Sequence, residues 1–149
     1  MGLEHSEILK MLNNLPLMIY RSQNDENWSK LFVSEGCFCL TGYKPSDFYD
    51  SKVSYTDIIH PDHRDIVRNQ VQFAIDNKIA YHLIYMIRTA GGTEKWVMDE
   101  GYGIYSKETQ ELEYIEGYIV DITKQKSHEF ELFDQIQQLE KQLKLLNIK

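Results

Sequence analysis

The sequence has little positive charge. It contains 16 lysine and arginine residues against 23 aspartate and glutamate residues in a chain of 149, so its formal net charge is −7. Nucleic-acid phosphates and anionic lipid surfaces bind proteins through a basic face. The composition therefore argues against partners of either kind, and we interpret the acidity as a contribution to solubility.

Cysteine is also scarce. The two cysteines, Cys37 and Cys39, are one residue apart. Neighbours at that spacing rarely form a disulfide, and no second pair exists for a metal site. We expect both to pack as small apolar side chains in a protein of a reducing compartment.

Targeting and membrane signals are missing. The first residues contain no basic region followed by an apolar run, and no apolar stretch approaches the roughly 20 residues of a membrane helix. We expect no secretory signal and no membrane span within this chain, and a cytoplasmic location.

Catalytic motifs are absent as well. The sequence contains no nucleophile elbow, phosphate-binding loop, zinc-protease motif or dinucleotide-binding glycine motif. Asp99 and Glu100 are adjacent carboxylates on a predicted strand, and such neighbours point to opposite faces of a sheet. We therefore predict that this chain is not an enzyme.

What is present indicates one globular α+β domain, with 42% hydrophobic and 26% charged residues. Apolar spacing predicts a helix over 6–15, capped by Ser6 and ended by Pro16. A second helix over 61–77 has an apolar face, formed by Ile66, Val67, Val71, Ala74 and Ile75. The predicted strands are 17–21, 28–33, 79–89, 94–105 and 112–122.

The third and fifth strands are apolar on both faces, whereas a sheet with one solvated face alternates apolar with polar residues. We expect the internal helices to cover one face. The N-terminal helix, the C-terminal helix or a partner subunit would cover the other.

The last strand passes through Asp121, Ile122 and Thr123 into a polar helix without a glycine or proline break. This helix carries an apolar stripe spaced four, three, four, three: Leu132, Ile136, Leu139, Leu143 and Leu146. Isoleucine at position a with leucine at d favours a parallel two-stranded coiled coil, hence a homodimer. The alternative is a helix folded back onto its own sheet.

Short motifs along the chain occur in the order typical of one family. They are Tyr20-Arg21, Trp28, Phe32-Val33-Ser34, Leu40-Thr41-Gly42-Tyr43, Ile59-His60-Pro61-Asp62, Gly92 with Trp96-Val97, and Gly117 with Asp121-Ile122-Thr123. Over residues 6–125 the chain resembles a PAS domain with its PAC-type C-terminal motif. Two positions depart from the pattern: His63 stands where aspartate is common, and Met86 where arginine is common.

The resemblance implies a five-stranded antiparallel sheet of order 2-1-5-4-3, with helices on one face. We expect an N-terminal capping helix at 1–15, a sensor domain at 16–123 and a signalling helix at 124–149. The family supplies sensory or dimerisation modules, commonly upstream of a histidine kinase or a GGDEF cyclase.

The same likeness places a pocket between sheet and helices. If Gly117, Ile119 and Asp121 face the helices, strand pairing brings residues of the neighbouring strands to the same face. The candidate ligand-binding residues are Tyr85, Ile87, Val97, Asp99, Gly117 and Ile119. A core filled by side chains, with no ligand, is the alternative.

No cofactor follows from the sequence. The flavin-binding LOV branch of the family needs a cysteine within the segment 44–58, which has none, and a glutamine where Ile119 stands. His60 and His63 are one turn apart and could face together as metal or haem ligands, but capping and surface roles explain them better. The ligand is therefore either absent or an unassigned small molecule.

We interpret the chain as a sensory and dimerisation module that relays ligand or redox state through Asp121, Ile122 and Thr123. The output domain would lie in the same polypeptide, outside this chain, with a sensor histidine kinase favoured over a diguanylate cyclase. A stand-alone small-molecule binding protein or enzyme on the same scaffold is the competing interpretation.

Overall fold

Five strands form one antiparallel sheet in the order β2-β1-β5-β4-β3, in a computed structural model that describes residues 2–147. The predicted sheet and strand order are confirmed. The strands are β1 Met18–Ser22, β2 Lys30–Val33, β3 Tyr81–Arg88, β4 Glu94–Tyr105 and β5 Leu112–Asp121. Met1, Ile148 and Lys149, which belong to the predicted segments 1–15 and 124–149, lie outside the described residues.

Six α-helices accompany the sheet within residues 2–147. They are α1 His5–Asn14, α2 Gly36–Thr41, α3 Pro45–Tyr49, α4 Tyr55–Ile58, α5 Arg64–Asp76 and α6 Thr123–Asn147. Two predicted starts are wrong. Helix α1 is capped at Glu4 rather than Ser6, and the Glu7 carboxylate accepts the Glu4 N–H. Helix α5 follows a 3₁₀ turn, because the His60 ring accepts the N–H of Asp62 and tightens the chain there.

The core lies between the sheet and the short helices with α5. Helix α5 buries Val67, Val71, Ala74 and Ile75. Ile66, which the sequence placed on this face, is 55% exposed. It lies about 100° around the helix axis from Val67, which carries it off the buried stripe.

The other face of the sheet is not covered by either terminal helix. Neither α1 nor α6 buries any of its described residues, so the alternative in which α6 folds back on the sheet is wrong. Ile84 and Tyr102 on this face are 47% and 51% exposed. Within residues 2–147, no helix combines the length and hydropathy that crossing a membrane requires.

Two glycines open a gap in the inner face of the sheet. Gly101 and Gly117 pair directly across β4 and β5. A methyl group on Gly117 would collide with the Glu100 carbonyl oxygen and lie 2.6 Å from the Tyr20 hydroxyl, and one on Gly101 would collide with the Tyr81 ring. The missing side chains therefore make the room in which these two tyrosine hydroxyls meet.

Replacing Gly117 with alanine tests this packing. We expect Gly117→Ala to lower the free energy of unfolding by about 1–3 kcal/mol, because the backbone of β4 cannot move aside without breaking the sheet. Urea denaturation of the chain measures the change. Gly91→Ala is the matched control, since its added methyl would meet only the Thr89 hydroxyl at 4.0 Å. Equal stability of the two variants would contradict the close approach.

Candidate functional site

A buried carboxylate on β4 organises the inner face of the sheet. Asp99 is 6% exposed and faces the helices. Its Oδ1 accepts a hydrogen bond from the Tyr20 hydroxyl at 2.7 Å, and its Oδ2 accepts one from the Tyr85 hydroxyl at 2.8 Å. Both carboxylate oxygens therefore accept hydrogen bonds from tyrosine hydroxyls in place of water.

Two more tyrosines extend this arrangement into a chain. The Tyr81 hydroxyl lies 2.5 Å from that of Tyr20, and the Tyr55 hydroxyl lies 2.7 Å from that of Tyr85. We call these four tyrosines with Asp99 the tyrosine–carboxylate cluster. No buried side-chain nitrogen or oxygen in residues 2–147 lacks a hydrogen-bond partner, so the cluster is a satisfied polar network.

The sheet brings the cluster together from distant parts of the sequence. Tyr81 and Tyr85 are four residues apart on β3, so they point to the same face. Asp99 stands opposite Leu83 on β3 and Ile119 on β5. Tyr20 reaches Asp99 from β1, and Tyr55 of α4 joins the cluster through Tyr85. Short-range sequence patterns do not reveal such a meeting.

Burial sets the charge balance of the cluster. It raises the pKa of Asp99 to about 6, although hydrogen bonds from Tyr20 and Tyr85 and the charge of Lys30 all oppose the rise. Burial also lowers the pKa of Lys30 to about 8, against the attraction of Asp99. At neutral pH both groups are charged, each within a short pH interval of losing its charge.

Lys30 stands at the edge of the cluster, at the start of β2. Its ammonium nitrogen lies 4.7 Å from the centroid of the Tyr20 ring and 4.5 Å from that of Tyr55. The side chain thus lies between two aromatic faces that attract a cation.

Two spaces adjoin Lys30. The inner one, enclosed by cluster residues and Val67 and Val71 of α5, has a volume of about 10 Å³ and holds at most a single water. The outer one measures about 250 Å³ and lies between the β1–β2 loop and the segment joining α3 to α4. Lys30, Trp28 and Tyr55 line both and separate them.

The start of α6 is tied to β4 by a separate set of hydrogen bonds. The Trp96 N–H donates to the Thr123 hydroxyl oxygen at 3.0 Å, and the Ile122 N–H donates to the Trp96 carbonyl at 2.9 Å. Asp121 Oδ1 accepts from the Thr123 N–H at 2.9 Å and from its hydroxyl at 2.6 Å. The direction of α6 is therefore fixed by Trp96 and Asp121 together. We call this the junction.

The sequence and the fold of this chain are similar to those of known proteins. A family model described as the PAS fold matches residues 30–119, which is more than half of the chain. This chain belongs to the PAS family. It is 31% identical over 137 residues to a methyl sulfide methyltransferase-associated sensor of Methanosarcina acetivorans, covering 91% of this chain but 14% of that protein.

Two solved structures share the PAS fold with this chain. One is a sensory box histidine kinase/response regulator of Burkholderia thailandensis, with a TM-score of 0.70, 21% identity, and coverage of 93% of this chain and 99% of that one. The other is the N-terminal domain of a diguanylate cyclase with a PAS/PAC sensor from Marinobacter aquaeolei, with a TM-score of 0.62, 14% identity, and coverage of 73% and 97%. At these identities the likeness establishes the fold.

The six predicted pocket residues share the inner face but do not enclose one cavity. Ile87, Val97 and Ile119 are fully buried core residues. Tyr85 and Asp99 are joined by a hydrogen bond, and Gly117 lies under the Tyr20 hydroxyl. Only Asp99 lines either of the two spaces next to Lys30. Side chains thus fill most of the space between the sheet and the helices, and the ligand-binding role of the six residues stays a prediction.

Sequence reasoning missed four members of the site: Tyr20, Lys30, Tyr55 and Tyr81. Tyr81 could have been predicted, because it is an even number of residues from Tyr85 on the same strand and so points to the same face. Lys30 stands in a predicted strand where a charged residue reads as solvent-facing, yet it is 9% exposed.

The two candidate metal histidines are occupied by backbone contacts. His60 Nδ1 accepts the Asp62 N–H at 3.1 Å, and His63 Nδ1 accepts the Met86 N–H at 2.9 Å. The two departures from the family pattern, His63 and Met86, therefore contact each other. Residues 2–147 hold no group of three or more histidine, cysteine or carboxylate side chains placed to bind a metal.

The cysteines differ from each other. Cys37 is buried, and burial raises the pKa of its thiol to about 12. Cys39 is exposed, so its expected packing as a small apolar side chain is wrong. Cys39 is two residues from the buried Cys37 on α2, and residues at that spacing point to opposite sides of a helix.

Asp99→Asn tests the electrostatics of the cluster. Because the folded pKa of Asp99 is raised, its contribution to stability is present below the ordinary value of 3.8 and is lost as pH rises through about 6. We expect the unfolding free energy of the wild type, relative to Asp99→Asn, to fall between pH 4 and pH 7 by at most about 3 kcal/mol.

Urea denaturation across this pH range measures the difference between the two proteins. The exposed Glu113→Gln removes a carboxylate from the surface and serves as the control. A wild-type curve parallel to that of Asp99→Asn would contradict a raised pKa at Asp99.

Proposed function

We propose that this PAS domain is a sensory module that relays the state of its tyrosine–carboxylate cluster to α6, and through α6 to an output domain of the same polypeptide. The observation that carries the proposal is the junction. Trp96, which bonds Thr123, lies three residues from Asp99 on the same strand. A displacement of β4 at the cluster therefore acts on the first turn of α6.

The register of the sheet supports this route. Asp99 stands opposite Ile119, and Val97 stands opposite Asp121, in the same pair of strands. Trp96 is bonded to α6 through both its N–H and its carbonyl group. A ligand can shift α6 between two positions only if it binds the protein more tightly when α6 is in one of them. The coupling therefore requires that β4 has two arrangements, one for each position of α6.

A second copy of the chain is the partner that best fits the exposed apolar residues. Helix α6 spans 25 residues, about 38 Å. The five residues of its predicted stripe are 53–65% exposed: Leu132, Ile136, Leu139, Leu143 and Leu146. Helix α1 also leaves Ile8, Leu9 and Met11 exposed. Dimerisation along α6 would bury the stripe in the spacing of a two-stranded coiled coil.

A sensor histidine kinase in the cytoplasm is the output we favour. The Methanosarcina relative carries the word sensor in its name and is about seven times longer than the region this chain matches. The Burkholderia structure, described as a histidine kinase/response regulator, covers more of this chain and at higher identity than the cyclase domain does.

The junction is tested in the complete parent protein. We expect Thr123→Ala to reduce the response of output activity to signal, because it removes the acceptor of the Trp96 N–H and the donor to Asp121. Thr123→Ser, which keeps the hydroxyl, should respond as the wild type does. Autophosphorylation with and without signal measures the response. Unchanged regulation in Thr123→Ala would remove the junction from the mechanism.

The dimer is tested by light scattering. We expect Leu139→Asp to halve the measured mass, because it introduces charges at the centre of the apolar stripe. Gln138→Asp adds the same charge one position away, on the outer side of α6, and should leave the mass unchanged. A dimeric mass for Leu139→Asp would contradict pairing along this helix.

A further inference from the structure

Lys30 is a largely buried cation whose donors the described part of the protein does not use. The residue is 9% exposed, its ammonium group makes no hydrogen bond or ion pair within residues 2–147, and no buried polar atom there is left without a partner, so the ammonium group keeps some contact with solvent. An ammonium carries three donors, and removing it from water is costly unless acceptors replace the water. The aromatic faces of Tyr20 and Tyr55 offset part of this cost and leave the donors free.

Lys30 lines both spaces, and its donors can meet a ligand only in the larger one. The inner void holds at most one water, so no organic ligand fits on that side of Lys30. The outer cavity, at about 250 Å³, is slightly smaller than the roughly 300–1,000 Å³ of sites for drug-sized ligands. A small molecule of a few carbon atoms fits it.

The lining has both polar and apolar parts. Ser29, Ser51 and Ser54 line the cavity, together with Phe48 and Val53. Trp28 and Ser51 of this lining adopt left-handed φ angles of 47° and 56°. Such angles also occur at Lys78 and Gln110, away from the cavity, so they do not by themselves mark a ligand site.

The charges around the cavity decide the class of ligand. Lys30 and Lys52 are the cations of its lining and Asp57 is the anion, so the lining by itself carries one net positive charge. Asp99 and Asp25 also act on Lys30 with their negative charges, which opposes the entry of more than one further negative charge. No arginine of residues 2–147 lines the cavity, so the forked donor that favours phosphate is missing there. A monoanion balances the charge of the lining, whereas a phosphate dianion would exceed it.

We propose that the outer cavity binds a small monocarboxylate whose carboxylate accepts hydrogen bonds from Lys30, with its short apolar part against Phe48 and Val53. This ligand is the signal of the sensory module proposed above, and the inference rests on that function only for its biological meaning. Because Lys30 also contacts Tyr20 and Tyr55, a carboxylate drawing the ammonium outward would alter the charge balance at Asp99.

Ligand binding is tested on the chain itself by ¹H–¹⁵N NMR titration with acetate, propionate, pyruvate and benzoate. Propionamide and inorganic phosphate are the probes that should not bind. We expect at least one of the carboxylates to shift the amide signals around Trp28, Lys30 and Val53. Lys30→Met should weaken its binding by about tenfold to a hundredfold, the effect of losing a charged hydrogen bond. Lys107→Met, at an exposed loop position, should bind as the wild type does.

A second measurement, the titration of Lys30, needs only the wild-type protein. In the wild type, the side-chain NMR titration of Lys30 should move to higher pH when the carboxylate is bound, because an anion stabilises the ammonium form. The proposal is overturned if none of the four carboxylates binds, if propionamide binds equally well, or if bound carboxylate leaves the Lys30 titration in place. Output regulation does not enter this test, so a failure of the relay and a failure of ligand binding are distinguishable.

Discussion

The structure depends on keeping one carboxylate, Asp99, inside an apolar core. Such a group is tolerated only when both oxygens are bonded and a positive charge is near. Tyr20 and Tyr85 supply the hydrogen bonds and Lys30 supplies the charge. The glycine pair in β4 and β5 follows from the same constraint, because any side chain at Gly117 would occupy the place of the Tyr20 hydroxyl.

The need to stabilise the Asp99 carboxylate links elements that are distant in the sequence. The residues around Asp99 come from β1, β2, β3 and α4, so its ionisation and hydrogen bonding affect most of the fold at once. Trp96, on the same strand as Asp99, makes the bonds that orient α6. Strand β4 therefore connects the polar centre of the PAS domain to the helix that leaves it.

Periodic and local features were predictable from the sequence. The two-residue period of the strands, combined with the strand pairing that the PAS resemblance implies, put Tyr85 and Asp99 on one face of the sheet before their contact was seen. The exposure of Ile66 was not predictable. Ile66 lies at the edge of the apolar face of α5, where a small rotation of the helix decides whether a side chain is buried or exposed. Tyr20 and Lys30 escaped notice because they meet Asp99 only through the order of strands. A buried lysine, in addition, has the sequence signature of an exposed one.

The central claim is that events at Lys30 reach the junction through β4. The chain contains two tryptophans, and they mark the two ends of this route: Trp28 lines the cavity and Trp96 bonds Thr123. ¹⁹F NMR of the chain labelled with fluorotryptophan, recorded with and without a saturating concentration of whichever of acetate, propionate, pyruvate and benzoate binds, reports on both ends in one spectrum. The account predicts that both resonances shift. A shift of the Trp28 resonance with the Trp96 resonance unmoved would contradict it.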